Sequence, residues 1–224
     1  GGVDHIPIHH ENEIAQSEGL TGKNPAKFWI HGDFMLVDGG KMSKSLGNTY
    51  TIEQLEKMGY SPMVFRYFCL NAHYRKKLNF TFETMDGAKV SYERLSQLLL
   101  KHKNSTELLG EEKISEYKNL FAQDIKDDLN IPSALGVLWT MLKEKPSKDI
   151  YDLALDFDRV FGLSLDKVEE VREEIPQDII NKAQKMQDAR LVKDYQTADK
   201  LRAEILELGY VVKNTKEGFE IQKK

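Results

Sequence analysis

Apolar residues step by threes and fours through most of this chain. Met85, Ala88, Tyr92, Leu95 and Leu99 form one stripe, and Ile114, Tyr117, Phe121 and Ile125 a second. Leu135, Leu138 and Leu142 form a third; Leu153, Phe157, Val160 and Phe161 form a fourth, closed by Gly162 as a C-terminal cap. Such spacing lines one face of a helix, so residues 81–165 are expected to fold as a helical bundle. These side chains are core and need no other role. Asp166 to Glu174 is charged and weakly patterned, which predicts a linker. Ile175-Pro176-Gln177 then opens a pair of helices, marked by Ile179, Ala183 and Met186 and by Ala198, Leu201, Ile205 and Leu208, the second ending at Gly209. Tyr210-Val211-Val212 and Phe219-Glu220-Ile221 flank a polar turn with Asn214 and Gly218, the pattern of a small hairpin. Residues 175–224 therefore read as a small C-terminal helix-hairpin module.

Residues 1–80 mix short strand-like and helical pieces. Gly1-Gly2-Val3-Asp4 reads as a turn at a strand end, and Phe28-Trp29-Ile30-His31 with Phe34-Met35-Leu36-Val37 as strand-rich core. Thr51-Ile52-Glu53-Gln54 carries a capping-box pattern for a short helix ending near Gly59. Ser61-Pro62 starts another, with serine as cap and proline at the first helical position; Met63, Tyr67 and Leu70 lie along one side of it.

Bulk composition narrows the picture. The chain has 224 residues, 40% hydrophobic and 30% charged, enough for one large or two to three small domains. Its 32 basic and 36 acidic residues give a net charge of −4, which argues against nonspecific coating of nucleic acid and leaves room for local basic patches. The single cysteine, Cys69, excludes an internal disulfide framework and fits a cytoplasmic, reducing location. There is no signal-peptide pattern and no apolar run near membrane-spanning length, so no membrane partner is expected. The opening Gly-Gly-Val is expected to be a cut or processed end.

The richest chemistry lies in Gly39-Gly40-Lys41-Met42-Ser43-Lys44-Ser45-Leu46-Gly47-Asn48. Glycines loosen the backbone at both ends, and lysine supplies a compact point charge suited to phosphate oxygens. Two lysines on such a loop can neutralise charge as a triphosphate splits; a solvated basic turn is the commoner reading of a generic Lys-x-x-Lys. His9 and Glu13 lie four apart and share a helix face. Such a pair is an ordinary ion pair or, with nitrogen and oxygen donors, half of a zinc site. His73-Tyr74-Arg75-Lys76-Lys77-Leu78-Asn79-Phe80 mixes basic and aromatic residues as a phosphate-backbone contact would, although a solvated turn is the default. Asp127-Asp128 reads as a helix-end and solvation feature rather than a catalytic pair.

Lys41-Met42-Ser43-Lys44-Ser45 matches letter for letter the second signature of class I aminoacyl-tRNA synthetases. His9-His10-Glu11-Asn12-Glu13-Ile14-Ala15-Gln16-Ser17-Glu18 resembles the segment that marks the cysteinyl-tRNA synthetases within that class. Asp127 to Leu135 and Ala198-Asp199-Lys200-Leu201-Arg202 resemble further stretches of the same family. The likeness covers nearly the whole chain and is most specific from Asp4 to Asn48. Departures exist: Pro7 is displaced by one position ahead of His9, Ile131 stands where threonine is usual, and Phe219-Glu220-Ile221-Gln222 lacks the usual tryptophan and arginine.

The resemblance implies a mainly α fold: a remnant of a Rossmann-type α/β catalytic domain over 1–80, the bundle facing tRNA over 81–165, and the small α/β module over 175–224. It implies a ligase that uses ATP and Mg²⁺ to activate cysteine and passes it to tRNA(Cys). Lys44, with Lys41, would stabilise the departing pyrophosphate; Asp4 would hold the ATP ribose beside Gly2; His9 and Glu13 would be two of the Zn²⁺ ligands. His31 is a weaker candidate for the adenine side. The zinc site is incomplete in this chain, since no cysteine precedes His9, and no His-x-Gly-His first signature occurs. The expected partner is therefore a missing N-terminal catalytic half, without which the fragment is expected to be inactive. The alternative is a noncatalytic tRNA-binding module that keeps the loop as a relic; a third is a purely structural helical scaffold.

Overall fold

Side-chain caps set where many of the helices begin. Thr51 and Gln54 form a complete capping box at α2 (Ile52–Lys57), as their spacing predicts. Ser61 accepts from Val64 N–H ahead of Pro62 at the start of α3 (Pro62–Leu70). Thr81 and Thr84 form a second reciprocal box at α4 (Phe82–Lys103). At α6 (Ile131–Met141), Ile131 has no polar side chain to offer, and Asn130 takes the capping position by accepting from Ser133 N–H at 3.3 Å. The other helices are α1 (Glu11–Thr21), α5 (Glu111–Lys126), α7 (Lys148–Phe161), α8 (Gln177–Leu191) and α9 (Tyr195–Glu207).

The computed structural model describes residues 1–169, 176–191, 194–215 and 218–223. The chain divides into two compact units, Gly1–Glu170 and Val171–Lys224. It is 63% helical with a small three-stranded sheet, a mainly α fold. Ile175 lies outside the described residues, as does most of the expected linker.

In the first unit, β1 (Met35–Val37) is the centre of a sheet ordered β2-β1-β3. It pairs antiparallel with β2 (Gly40–Lys41) and parallel with β3 (Leu78–Phe80). A separate parallel bridge joins Gly2 to Gly32. Against this sheet and around it packs one core, including Val37, Val64, Phe80, Leu95, Leu138 and Phe157. Three of the expected stripes need correction at single positions. Val64 and Phe68 face the core of α3 with Tyr67, while Met63 and Leu70 are only half-buried. Val160 is 44% exposed, and Ile150 and Ala154 complete the buried face of α7 instead. Leu208 is 50% exposed, just past the end of α9.

The expected strand over Phe28–His31 does not form: Phe28 and Ile30 are 87% and 61% exposed. An apolar run becomes a strand only where a neighbour completes its ladder, and here only Gly32 is bridged. The second unit has its own core of Ile179, Ala183, Met186, Ala189, Ala198, Ile205 and Val212. Its hairpin is β4 (Tyr210–Thr215) antiparallel to β5 (Gly218–Lys223), as the sequence predicts.

Candidate nucleotide and metal site

A single segment, Ile30 to Lys41, carries both halves of the candidate site. At one end Gly32 N–H donates to Gly1 C=O (2.9 Å), and Val3 N–H donates to Gly32 C=O (3.1 Å). This pairing holds the single 3₁₀ turn Val3–His5 that displays Asp4. A β-carbon at Gly2 would lie 2.5 Å from Asp4 Oδ1, so a glycine there lets the carboxylate fold back over the backbone. At the other end, β1 turns through Asp38 (φ 50) and Gly39 (φ 75) into β2. The turn is pinned to β3: Asp38 N–H donates to Phe80 C=O (3.0 Å) and Gly39 N–H to Asn79 Oδ1 (2.8 Å).

The loop that follows is braced rather than slack. Ser43 caps a 3₁₀ turn at Lys44–Leu46, accepting from Leu46 N–H at 3.3 Å, and Gly47 (φ 66) closes it. Asn48 Oδ1 accepts from Ser43 N–H (2.8 Å), and Asn48 Nδ2 donates to Lys41 C=O (3.0 Å). Met42 and Tyr50 pack on the core at either side. Lys41, Lys44 and Ser45 stand exposed between these anchors, and neither lysine is in an ion pair among the described residues.

Ahead of α1 the chain forms a π-helical turn over Ile6–His10, with Pro7 in its first turn. His9 Nε2 lies 3.8 Å from Glu13 Oε1, both side chains more than half exposed. His10 Nε2 is also 3.9 Å from Glu13, but His10 is buried and its Nδ1 sits 2.8 Å from His31 Nε2. Burial lowers the His10 imidazole below its ordinary pKa, Glu13 opposes this, and His31 and His5 add to it. His10 and His31 therefore hold each other, with Trp29 against His10 at 4.6 Å between centroids, leaving His9 the open imidazole. Among the described residues no group of three or more His, Cys, Asp or Glu is arranged to hold a metal. His9 and Glu13 bring one nitrogen and one oxygen donor near each other, donor types that zinc accepts, whereas a structural zinc site takes four.

The profile described as tRNA synthetases class I (C) catalytic domain matches residues 1–90. A cysteine–tRNA ligase of Opitutus terrae is 39% identical across 99% of this chain and 47% of its own length. Cysteine–tRNA ligases of Protochlamydia amoebophila and Methanosarcina mazei are each 36% identical across all of this chain, and across 50% and 51% of their own lengths. The chain belongs to the class I cysteinyl-tRNA synthetase family. It spans about half the length of the curated family members it matches.

Two groups in this chain escaped the pattern of its sequence. The His10–His31 contact joins residues far apart in sequence that no motif pairs. Asp128 is the other. Arg75 Nε donates to Asp128 Oδ2 (2.5 Å), Arg75 Nη2 to Oδ1 (3.1 Å), and the Tyr74 hydroxyl to Oδ1 (2.5 Å). His73 Nε2 donates to Asp128 C=O at 3.0 Å. Asp128 is thus an ion-pair hub, not a merely solvated helix end. The residues His73–Arg75 turn onto it, and Lys76 and Lys77 remain exposed in that stretch.

Proposed function

We propose that this chain supplies the second-signature side of a cysteine–tRNA ligase active site, working with a catalytic half that bears the first signature and two thiolate ligands. The observation that carries this reading is the Ile30–Lys41 segment, which holds Asp4 at one end and the Lys41–Ser45 loop at the other. Cysteine and ATP give cysteinyl-adenylate and pyrophosphate, and the cysteinyl group then passes to the 3′ end of tRNA(Cys). In the first step negative charge builds on the leaving pyrophosphate. Lys44, and secondarily Lys41, stabilise it alongside Mg²⁺, a contribution larger in the transition state than in bound ATP. Asp4 accepts from the ribose hydroxyls, with Gly2 allowing the close approach.

His9 and Glu13 would hold the zinc with the thiolates of the other half; when bound, zinc supplies a sulfur-preferring centre that separates cysteine from serine. The small sheet with its parallel pairings is read as a remnant of a Rossmann-type domain, the bundle and the C-terminal module as surfaces for tRNA, and the location as cytoplasmic. Support for a missing half comes from α1. None of its residues is buried, and Ile8, Leu20 and Phe28 are 69%, 88% and 87% exposed. A helix of this length is marginal in water without a packed face, and the second half would provide one.

The test is a chimera in which the half of the Opitutus terrae ligase that this chain does not match is joined ahead of it. Cysteine-dependent ATP–pyrophosphate exchange is the expected result, lowered roughly 100-fold in kcat by Lys44→Ala. A chimera that folds and binds tRNA without exchange would leave the noncatalytic tRNA-binding reading. Exchange that survives Lys44→Ala would remove that lysine's role.

A further inference from the structure

We propose that Asn48 is a positioning residue: its carboxamide closes the signature loop into one rigid unit that presents Lys41 and Lys44 together. The inference rests on the function proposed above. Neither lysine is held by an ion pair among the described residues, so the backbone alone sets where their ammonium groups can reach. That backbone has two limbs. One leaves β2 through Lys41 and Met42; the other returns through Gly47 to Tyr50. Asn48 ties the returning limb to the leaving one twice, taking Ser43 N–H on its oxygen and giving its amide hydrogen to Lys41 C=O. No other side chain among the described residues bonds to both Lys41 and Ser43.

Inside the ring that Asn48 closes, Ser43 Oγ accepts from Leu46 N–H, and Gly47 N–H donates to Lys44 C=O at 3.1 Å. Three backbone N–H groups of the loop, those of Ser43, Leu46 and Gly47, thus find acceptors within the loop itself. It can swing toward a triphosphate as a body, pivoting at the Asp38–Gly39 turn where φ is already positive, without first losing order. Preorganisation of this kind acts on the rate, because a charge aimed at the transition state loses its effect when displaced by about 1 Å. Removing the carboxamide frees both limbs while leaving the lysines and the core anchors in place.

Asn48→Ala tests this in two measurements. On the 224-residue chain itself, trypsin should cut after Lys41 and Lys44 on the order of 10-fold faster than in the parent, since cleavage follows the population of the open segment. Cutting after Lys76 and Lys77 is the internal reference and should not change. In the chimera, kcat for exchange should fall about 10- to 100-fold with KM for ATP nearly constant. Parent-like cutting at Lys41 and Lys44 would show there is no clamp. Faster cutting with unchanged kcat would make the clamp structural only and overturn the positioning role. If the parent chimera shows no exchange, the proposed function fails and the catalytic part of this inference with it, while the tryptic result still decides whether the clamp exists.

Discussion

Asp128 and Leu129 stand at φ 52 and 55, the left-handed region that costs a residue with a β-carbon about 1–2 kcal/mol. Consecutive strain of that kind persists only when the surroundings fix it, and Arg75, Tyr74 and His73 do so. The Arg75 and Tyr74 hydrogen bonds hold the Asp128 carboxyl down at about 2, with the Arg75 charge adding and desolvation opposing. The sign follows from linkage: a carboxyl whose pKa is lower folded than unfolded contributes stability above its unfolded value and loses it as pH falls through the folded one. Asp128→Asn is therefore expected to lower the Tm of the chain at neutral pH. The gap between parent and variant should be constant above about pH 4 and shrink toward pH 2. Thermal melts of both proteins across that range check it; a gap independent of pH would show that the ionised carboxylate is not what holds the turn.

Elements were legible where their determinants are local. The Thr51 and Ser61 caps, the stripe of α4 and the Gly162 and Gly209 stops all act within a turn or two, so spacing alone placed them. At α6 the missing threonine at Ile131 left Asn130 as the one residue that could substitute as cap, and the fold shows it doing so. A substitution to alanine there should cost about 1 kcal/mol. Burial inside α7 was less legible, because Val160 and Ala154 exchange places according to which neighbour covers each face. The Phe121 and Phe157 rings, stacked 3.9 Å apart at 6° between α5 and α7, make the stronger test of the bundle. Phe157→Ala should destabilise the first unit by about 3–5 kcal/mol, read by urea denaturation, against about 1 for Asn130→Ala. In the candidate site the Lys41–Ser45 loop and the His9–Glu13 pair were readable as short motifs. The His10–His31 and Asp128 contacts were not, since each joins segments that only tertiary packing brings together.

At the scale of the whole molecule, charge decides how the proposed RNA partner would be met. A net charge of −4 gives no general attraction to phosphates, so binding has to come from a few local cations, and its strength has to depend on salt. The fold narrows which cations those are in the His73–Phe80 stretch. Arg75 is committed to Asp128, whereas Lys76 and Lys77 are exposed and outside every ion pair among the described residues. Titrating the chain with tRNA at about 50 and 200 mM salt should show affinity falling as salt rises, with each neutralised phosphate adding about 0.7–0.9 to the logarithmic slope. Replacing Lys76 and Lys77 by alanine should flatten that slope by about 1 to 2 and weaken binding without changing the preference among tRNAs, because phosphate contacts carry no sequence information. A slope already near zero in the parent would favour the reading of a purely structural helical scaffold. A steep slope untouched by the double substitution would move the contact to another face of the bundle or to the C-terminal unit, where Lys200 and Arg202 are exposed on α9 and can be tested in the same way.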